Sequence, residues 1–498
     1  MKAIILAAGI GSRLRPITND KPKTLTKVNG RPMIDFLISA LCENKIKDIV
    51  VCTGFKSDML VNFCKNNYPE INFTFVENSD YDITNNMYSL YLASKYLDED
   101  VILMNADLVF YPEVIRKLLK MNSSAVAVDK GNYLEESMKL VVDNDLIKRI
   151  SKKIDKNNSY GSSIDVYKIN SKDCPIIKKE MEKIIEENND KNQWTEVMLD
   201  NLFQNDKLKA KPCSIDGEKW FEIDNYEDLA KAEIIFNDKL KQLKSKKVFF
   251  IDRDGTLTLG KGLIKNSSLF LDKLKEKNKN FFILTNNSSK TPNEHFENFE
   301  KLGLKIEKEN VLVSIDASIS FFKEKKVKKI YWVANKKVDT YIKECGFLFD
   351  DKNPQAALLT FDNEINYAKL VKFTQFIRKG VPYYATHSDL VCPTENGDVP
   401  DIGSFIKLIE ITTKKIPNKV FGKPNIEFIE HVLKKYQLKF SDAVVIGDRL
   451  YTDIKLAENT DITSILVLSG ETKREDYEKS KISADIVVSD VSKLINFV

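Results

Sequence analysis

Short apolar runs and longer amphipathic stretches alternate along nearly the whole chain. In the first half, the runs at 3–8, 46–52, 72–76, 100–104 and 125–128 predict strands, and the stretches at 33–42, 58–66, 87–96 and 112–121 predict helices. Strand and helix in alternation predict an α/β unit with a mainly parallel sheet. The same rhythm restarts past the midpoint with Val248-Phe-Phe-Ile, which ends in Asp252-Arg-Asp254-Gly-Thr256. A buried parallel strand that drops two carboxylates, two residues apart, onto a glycine turn presents acids at its carboxyl edge. Further strand-like runs end in Thr285-Asn286, in Gly422-Lys423-Pro424 and in Gly447-Asp448, with Asp453 close behind. The long interval between Thr285 and Lys423 contains strands of its own at 329–333, 356–360 and 383–386, so it predicts a folded α/β insertion rather than a loop.

This pattern divides the chain into a first domain at 1–237, a helical linker at 238–246, a second core at 247–290 and 417–498, and a cap at 291–416. The linker carries Lys239, Lys241 and Lys244, and Lys246 and Lys247 follow at its end. It reads as a solvated helix; without a Gly/Pro-rich spacer, the two domains are expected as close neighbours.

Composition narrows the picture. The chain has 498 residues, 43% hydrophobic and 30% charged, which fits several domains with ordinary cores. A net charge of +4 over this length gives no electrostatic case for nucleic acid or an anionic membrane. Seven cysteines without C-x-x-C spacing are expected as reduced thiols, hence a cytoplasmic protein. The apolar opening passes straight into Gly9-Ile-Gly11-Ser-Arg13, so a buried first strand is expected there rather than a leader. No run approaches the roughly 20 apolar residues of a membrane span.

The first strand feeds Ala7-Ala8-Gly9-Ile-Gly11-Ser-Arg13-Leu-Arg-Pro. Glycines let the backbone approach a phosphate, with N–H groups aimed at it and a cation alongside. A dinucleotide fingerprint would need glycine where Leu14 stands, and a P-loop would need Gly-Lys-Ser/Thr, which is absent. The whole opening, followed by Lys21-Pro-Lys23 and Val28-Asn-Gly-Arg-Pro-Met-Ile34, resembles the nucleotidyltransferase superfamily that makes nucleotide-sugars and CDP-alcohols. Asn85-Asn-Met-Tyr-Ser-Leu-Tyr and Val101-Ile-Leu-Met-Asn-Ala-Asp107 are closest to its phosphocholine cytidylyltransferase branch. The resemblance implies that Ala8, Gly9, Gly11, Arg13 and Lys23 bind the nucleotide, Arg13 and Lys23 acting on the reacting phosphates. It implies Mg²⁺ ligands in Asp107 and in Asp224 of Trp220-Phe-Glu-Ile-Asp224. The expected reaction is attack by an acceptor's phosphate on a nucleoside triphosphate, CTP by preference, with loss of pyrophosphate. Tyr133, Tyr160, Tyr167 and Trp194 are the aromatics available for a quaternary-ammonium cage. A UTP- or GTP-dependent sugar-1-phosphate transferase, or a degenerate nucleotide-binding regulatory domain, are the alternatives.

The four strand ends of the second half, in their order, resemble the haloacid-dehalogenase superfamily of phosphohydrolases, and closely its NagD-like or p-nitrophenylphosphatase-like branch. The resemblance implies a Rossmann-like core with an inserted cap and Asp252 as the nucleophile that forms an aspartyl-phosphate. It implies Asp254 as general acid and base, Thr285, Asn286 and Lys423 as phosphate-binding residues, and Asp252, Asp254, Asp448 and Asp453 around Mg²⁺. His387, in Ala385-Thr-His-Ser-Asp389, stands where that branch usually has asparagine. His295 and His431 receive no role. The expected partners are thus a nucleoside triphosphate and a small phosphate ester, in a protein free to form a homo-oligomer.

Overall fold

Residues 1–131, 137–392 and 397–498 are described by the computed structural model. The chain separates into two units, Met1–Phe236 and Asn237–Val498.

In the first unit, the strand Lys2–Leu6 lies inside a nine-stranded sheet. Ala3, Ile4 and Ile5 are fully buried, because a strand between two parallel neighbours is covered on both faces. It pairs in parallel with Asp48–Thr53 and Val101–Asn105, and Asp48–Thr53 pairs onward with Asn72–Glu77. Beyond Val101–Asn105 the sheet turns largely antiparallel, through Gly161–Ile169 and the hairpin of Lys139–Asp143 with Leu146–Ser151. The mainly parallel sheet expected from the sequence therefore describes one side only. Gly161–Ile169 buries Gly161, Ser162, Ser163 and Lys168, so it lacks the apolar run that marks a strand.

A separate antiparallel ribbon pairs Leu108–Phe110 with Trp220–Glu222. The Ile223 amide donates to the Asp107 carbonyl at 2.9 Å. This ribbon brings Asp107 and Asp224, far apart in sequence, to one end of the sheet.

The second unit contains a six-stranded, wholly parallel sheet in the order Val311–Val313, Asn280–Thr285, Val248–Asp252, Ala443–Gly447, Thr463–Val467, Ile486–Val488. Val248 to Ile251 are fully buried, and Val248 and Phe250 pack among Phe282, Phe428 and their neighbours. A five-stranded parallel sheet carries Leu348–Phe349, Lys329–Val333, Ala356–Leu359, Tyr383–Ala385 and Lys419–Val420.

The expected boundaries at 290/291 and 416/417 do not follow these sheets. Val311–Val313 pairs with Asn280–Thr285 in the first sheet, and Lys419–Val420 pairs with Tyr383–Ala385 in the second. The stretch read as a linker is packed instead: Leu240 and Leu243 are buried, and the Lys246 ammonium donates to the Ser441 carbonyl at 2.7 Å. Its lysine-rich face hid two leucines a helical turn apart. All seven cysteines are free. Among the described residues no helix is long and apolar enough to cross a membrane.

Candidate active sites

The first unit opens a cleft of about 670 Å³ over the carboxyl end of Lys2–Leu6. Ala8, Gly9, Gly11, Arg13, Lys23, Asp107 and Asp224 all line it. Gly11 has φ 70°, and a β-carbon there would lie 2.7 Å from the Lys23 β-carbon. Glycine thus lets the loop fold over the lysine stem. The Lys23 ammonium reaches Asp107 at 2.9 Å and Asp224 at 2.8 Å, and the Arg13 guanidinium reaches Asp224 at 3.0 Å. Burial disfavours the charge on Lys23, yet Asp107 and Asp224 outweigh it and hold its pKa above the ordinary range. Burial likewise opposes ionisation of Asp224, and Lys23 reverses this, lowering the pKa of its carboxyl.

Glu222 was absent from the sequence-derived site. Its carboxylate joins Asp107 and Asp224, with one oxygen from each lying within 4.8 Å of the others. The alternation Glu222-Ile-Asp224 carries the signal, since residues two apart in an extended segment share a face. Enclosure by the cleft walls, then Asp107, Asp165 and Asp224, push its pKa up. Three converging carboxylates with two cations on the rim match the hard oxygen donors a magnesium ion takes.

Asp165 and Glu196, also unforeseen, line the same cleft; burial raises the pKa of both. Of the described aromatics considered for a cage, Trp194 lines the cleft and Tyr160 and Tyr167 do not. A lysine lies over a face of each of two rings, Lys130 over Tyr160 at 4.3 Å and Lys152 over Trp194 at 4.7 Å. Tyr167 is buried, and Tyr133 lies outside the described residues.

In the second unit, Asp252 and Thr285 end adjacent strands, and Asp448 follows the end of a third. Asp252, Asp448 and Asp453 form a second cluster with oxygens within 4.8 Å of one another. The Lys423 ammonium, itself buried, donates to Asp252 and, at 2.6 Å, to Asp453. Burial raises the pKa of Asp252 despite Lys423, and burial with Asp453 pushes that of Asp448 up to about 6. Asp448 Oδ2 accepts the Glu471 amide at 2.6 Å, while Oδ1 is buried without a partner. An orphaned carboxylate oxygen among three clustered acids, two of them buried, fits a bound divalent cation. Glycines make the room: a β-carbon on Gly470 would lie 2.5 Å from the Asp448 carboxyl carbon.

Two of the expected site residues have side chains engaged elsewhere. Asp254 is not among the clustered acids; its carboxylate takes the Thr258 hydroxyl at 3.1 Å and faces Arg253 at 3.5 Å. The Asn286 amide nitrogen donates to Asp389 at 3.0 Å and to the Lys423 carbonyl at 3.1 Å, and its oxygen accepts the Lys423 amide at 2.9 Å. With its side-chain amide so engaged, Asn286 braces the Lys423 loop.

His387 is buried, its Nδ1 3.4 Å from the Asp389 amide and its Nε2 3.5 Å from Asp401. It sits beside Asp389 and Asp401 without reaching open space, its Nε2 lacking a hydrogen-bond partner. His295 links two loops of the site: Nε2 lies 2.9 Å from the Asn287 carbonyl, and Nδ1 lies 3.2 Å from Arg253. A guanidinium only donates and a carbonyl only accepts, so the proton sits on Nε2. Burial pushes its pKa down to about 4.

The family model described as Nucleotidyl transferase matches residues 2–132. Haloacid dehalogenase-like hydrolase matches 249–348, and a second hydrolase-like model of that group matches 420–494. An acid sugar phosphatase of Staphylococcus haemolyticus is 29% identical over 48% of this chain and 90% of its own. A 5'-nucleotidase of Bacillus subtilis is 28% identical over 49% of this chain and 96% of its own. The crystal structure of a 4-nitrophenylphosphatase from Thermotoga maritima is 34% identical with a TM-score of 0.50, covering 51% of this chain and 98% of that one.

Proposed function

Because the chain belongs in its second half to the haloacid-dehalogenase-like phosphatases and begins with a nucleotidyl transferase domain, we propose that it is a bifunctional enzyme, a CTP-dependent phospho-alcohol cytidylyltransferase and a phosphomonoesterase acting through an aspartyl-phosphate. The observation that carries this reading is the repeated arrangement of a lysine clamped between two carboxylates of an acid triad, once in each unit.

In the first unit, the loop from Ala8 to Arg13 cradles the triphosphate. Arg13 and Lys23 turn from Asp224 and Asp107 toward the phosphates as negative charge arrives. An oxygen of the acceptor's phosphate attacks the α-phosphorus, and the bond to the β-phosphate bridge breaks to release pyrophosphate. No protein nucleophile is needed, and the site acts by positioning and charge. Asp107, Glu222 and Asp224 would hold Mg²⁺, which supplies neutralisation of the leaving group.

In the second unit, Asp252 attacks the phosphorus of the ester while Asp254 protonates the departing alkoxide. Asp254 then takes a proton from water, which attacks the aspartyl-phosphate, releasing phosphate and restoring Asp252. Lys423 and Thr285 hold the transferring group. Asp252, Asp448 and Asp453 would hold Mg²⁺, which offsets charge on the phosphoryl oxygens. The five-stranded sheet and its helices serve as the cap, and the compartment is cytoplasmic, matching reduced thiols.

The test is pyrophosphate release from each of four nucleoside triphosphates with a panel of phosphate esters, alongside hydrolysis of p-nitrophenyl phosphate. Release with CTP and one phospho-alcohol is expected; release only with UTP or GTP and a sugar 1-phosphate would contradict the cytidylyltransferase reading.

A further inference from the structure

The inner end of the first cleft is built from acceptors. Within Gly161–Ile169 the pairing register shifts between Ser163 and Tyr167, and Asp165 there adopts φ 56°. Its carboxylate takes the Ser163 hydroxyl at 3.1 Å and the Asn105 amide at 3.2 Å. Asn105 is held by the Asn86 amide at 3.2 Å, and Asn86 accepts the Thr195 amide at 2.9 Å. Glu196, in the first turn of Thr195–Gln204, is 2% exposed. The Tyr167 hydroxyl lies 2.7 Å from Glu196 and 3.0 Å from Asp165.

Each carboxylate offers about four acceptor sites. The side chains donating to the pair are Ser163, Asn105 and Tyr167, all neutral, and Tyr167 has one proton to place between two acids. No Lys or Arg among the described residues forms an ion pair with Asp165 or Glu196. Asp165, Glu196, Asn86, Asn105 and Ser163 line the same cleft as the metal-type acids. This end is rich in fixed acceptors and poor in donors, so the two acids either hold protons or are completed by something that enters the cleft.

On the reading of this unit as a nucleotidyltransferase, we infer that Asp165, Glu196 and Tyr167 form the subsite for the acceptor's non-phosphate end, and that this end carries N–H or O–H donors, a primary ammonium or free hydroxyls, rather than a quaternary ammonium. A trimethylammonium has no proton to give a carboxylate and is held by open aromatic faces. Here the Trp194 face lies under Lys152, and the Tyr167 ring is buried. Lys152 lines the same cleft, its ammonium over the Trp194 ring.

The experiment uses the full chain with Asp252→Asn, so that hydrolysis cannot consume acceptors, and records pyrophosphate release with CTP. The acceptors are phosphoethanolamine, glycerol 2-phosphate, sn-glycerol 3-phosphate and phosphocholine. A donor-bearing acceptor should exceed phosphocholine about tenfold or more in kcat/KM, the scale of one charge-assisted hydrogen bond. Phosphoethanolamine leading would identify an ammonium, and a glycerol phosphate leading would identify hydroxyls. In that background Asp165→Asn and Glu196→Gln should each raise the acceptor KM about tenfold or more, with the KM for CTP unchanged. Tyr167→Phe, which keeps the packing and removes the shared proton, should shift acceptor KM alone. Phosphocholine equal to or better than the others, or variants that change the KM for CTP and acceptor alike, would overturn the inference while leaving the transferase reading intact. Silence with every triphosphate and acceptor would remove the transferase reading, and the subsite with it.

Discussion

Replacing Lys423 by methionine isolates the electrostatics of the second site. The lysine stem is buried, and its ammonium is the cation paired with both Asp252 and Asp453. Methionine fills most of the stem's volume, so the cavity contribution is small, and the change leaves Asp252, Asp448 and Asp453 crowded together without that cation. Two estimates of the cost agree. Breaking a buried pair by removing one partner costs about 3–5 kcal/mol. Alternatively one aspartate takes up a proton; for a group of ordinary pKa at pH 7 that costs about 4 kcal/mol. We therefore expect urea unfolding in EDTA, followed by hydrogen exchange of the strand Val248–Asp252, to show a loss of about 4 kcal/mol. Magnesium at a hundred times its Kd should restore about 2.7 kcal/mol. Hydrolysis of p-nitrophenyl phosphate should fall about a hundredfold or more even with Mg²⁺, since the phosphoryl clamp is gone. A loss below about 1 kcal/mol, or a loss unaffected by Mg²⁺, would refute the idea that these acids form a charge-compensated cation site.

Other outcomes follow from the same geometry. Glu222→Gln should lower pyrophosphate release about tenfold or more at limiting Mg²⁺, with recovery at high Mg²⁺ and unchanged phosphatase activity. Gly470→Ala drives a methyl group onto the Asp448 carboxyl, so phosphatase activity and Mg²⁺ affinity should both fall about tenfold or more. The raised pKa of Asp448, about 6, means the folded, metal-free unit binds a proton more tightly than the unfolded chain. Its stabilising contribution is thus present below the ordinary carboxylate range and is lost as pH rises toward and through 6. Unfolding in EDTA across that window should reveal the decline, and saturating Mg²⁺ should abolish it.

Much of this was legible in the sequence wherever strand and chemistry coincide. Val248 to Asp252 is a fully apolar run ending in acid, and Lys423 and Asp448 close similarly short segments, so the residues that meet at the parallel sheet edge announced themselves. The antiparallel strands of the first unit did not, because Gly161–Ile169 buries two serines and a lysine where an apolar run would have marked a strand. Asp165 and Glu196 were illegible for the same reason: they converge through a register shift and a helix start that no local pattern encodes. Glu222 was readable from its alternation with Asp224. The bracing role of Asn286 required the fold, since its partners Asp389 and Lys423 are more than a hundred residues away.

The central claim is that one chain carries two chemically independent sites, with Asp252 as the phosphatase nucleophile. Its most direct test traps the phosphorylated enzyme by acid quench during turnover of a phosphomonoester. Borohydride then reduces the acyl-phosphate, peptide mass spectrometry locates it, and pyrophosphate release is assayed on the same preparations. The account predicts homoserine at position 252 in the wild-type protein and in Lys23→Met, which should lose pyrophosphate release. It predicts none in Asp252→Asn, which should keep it. Label at another residue, or loss of both activities in either variant, would contradict it.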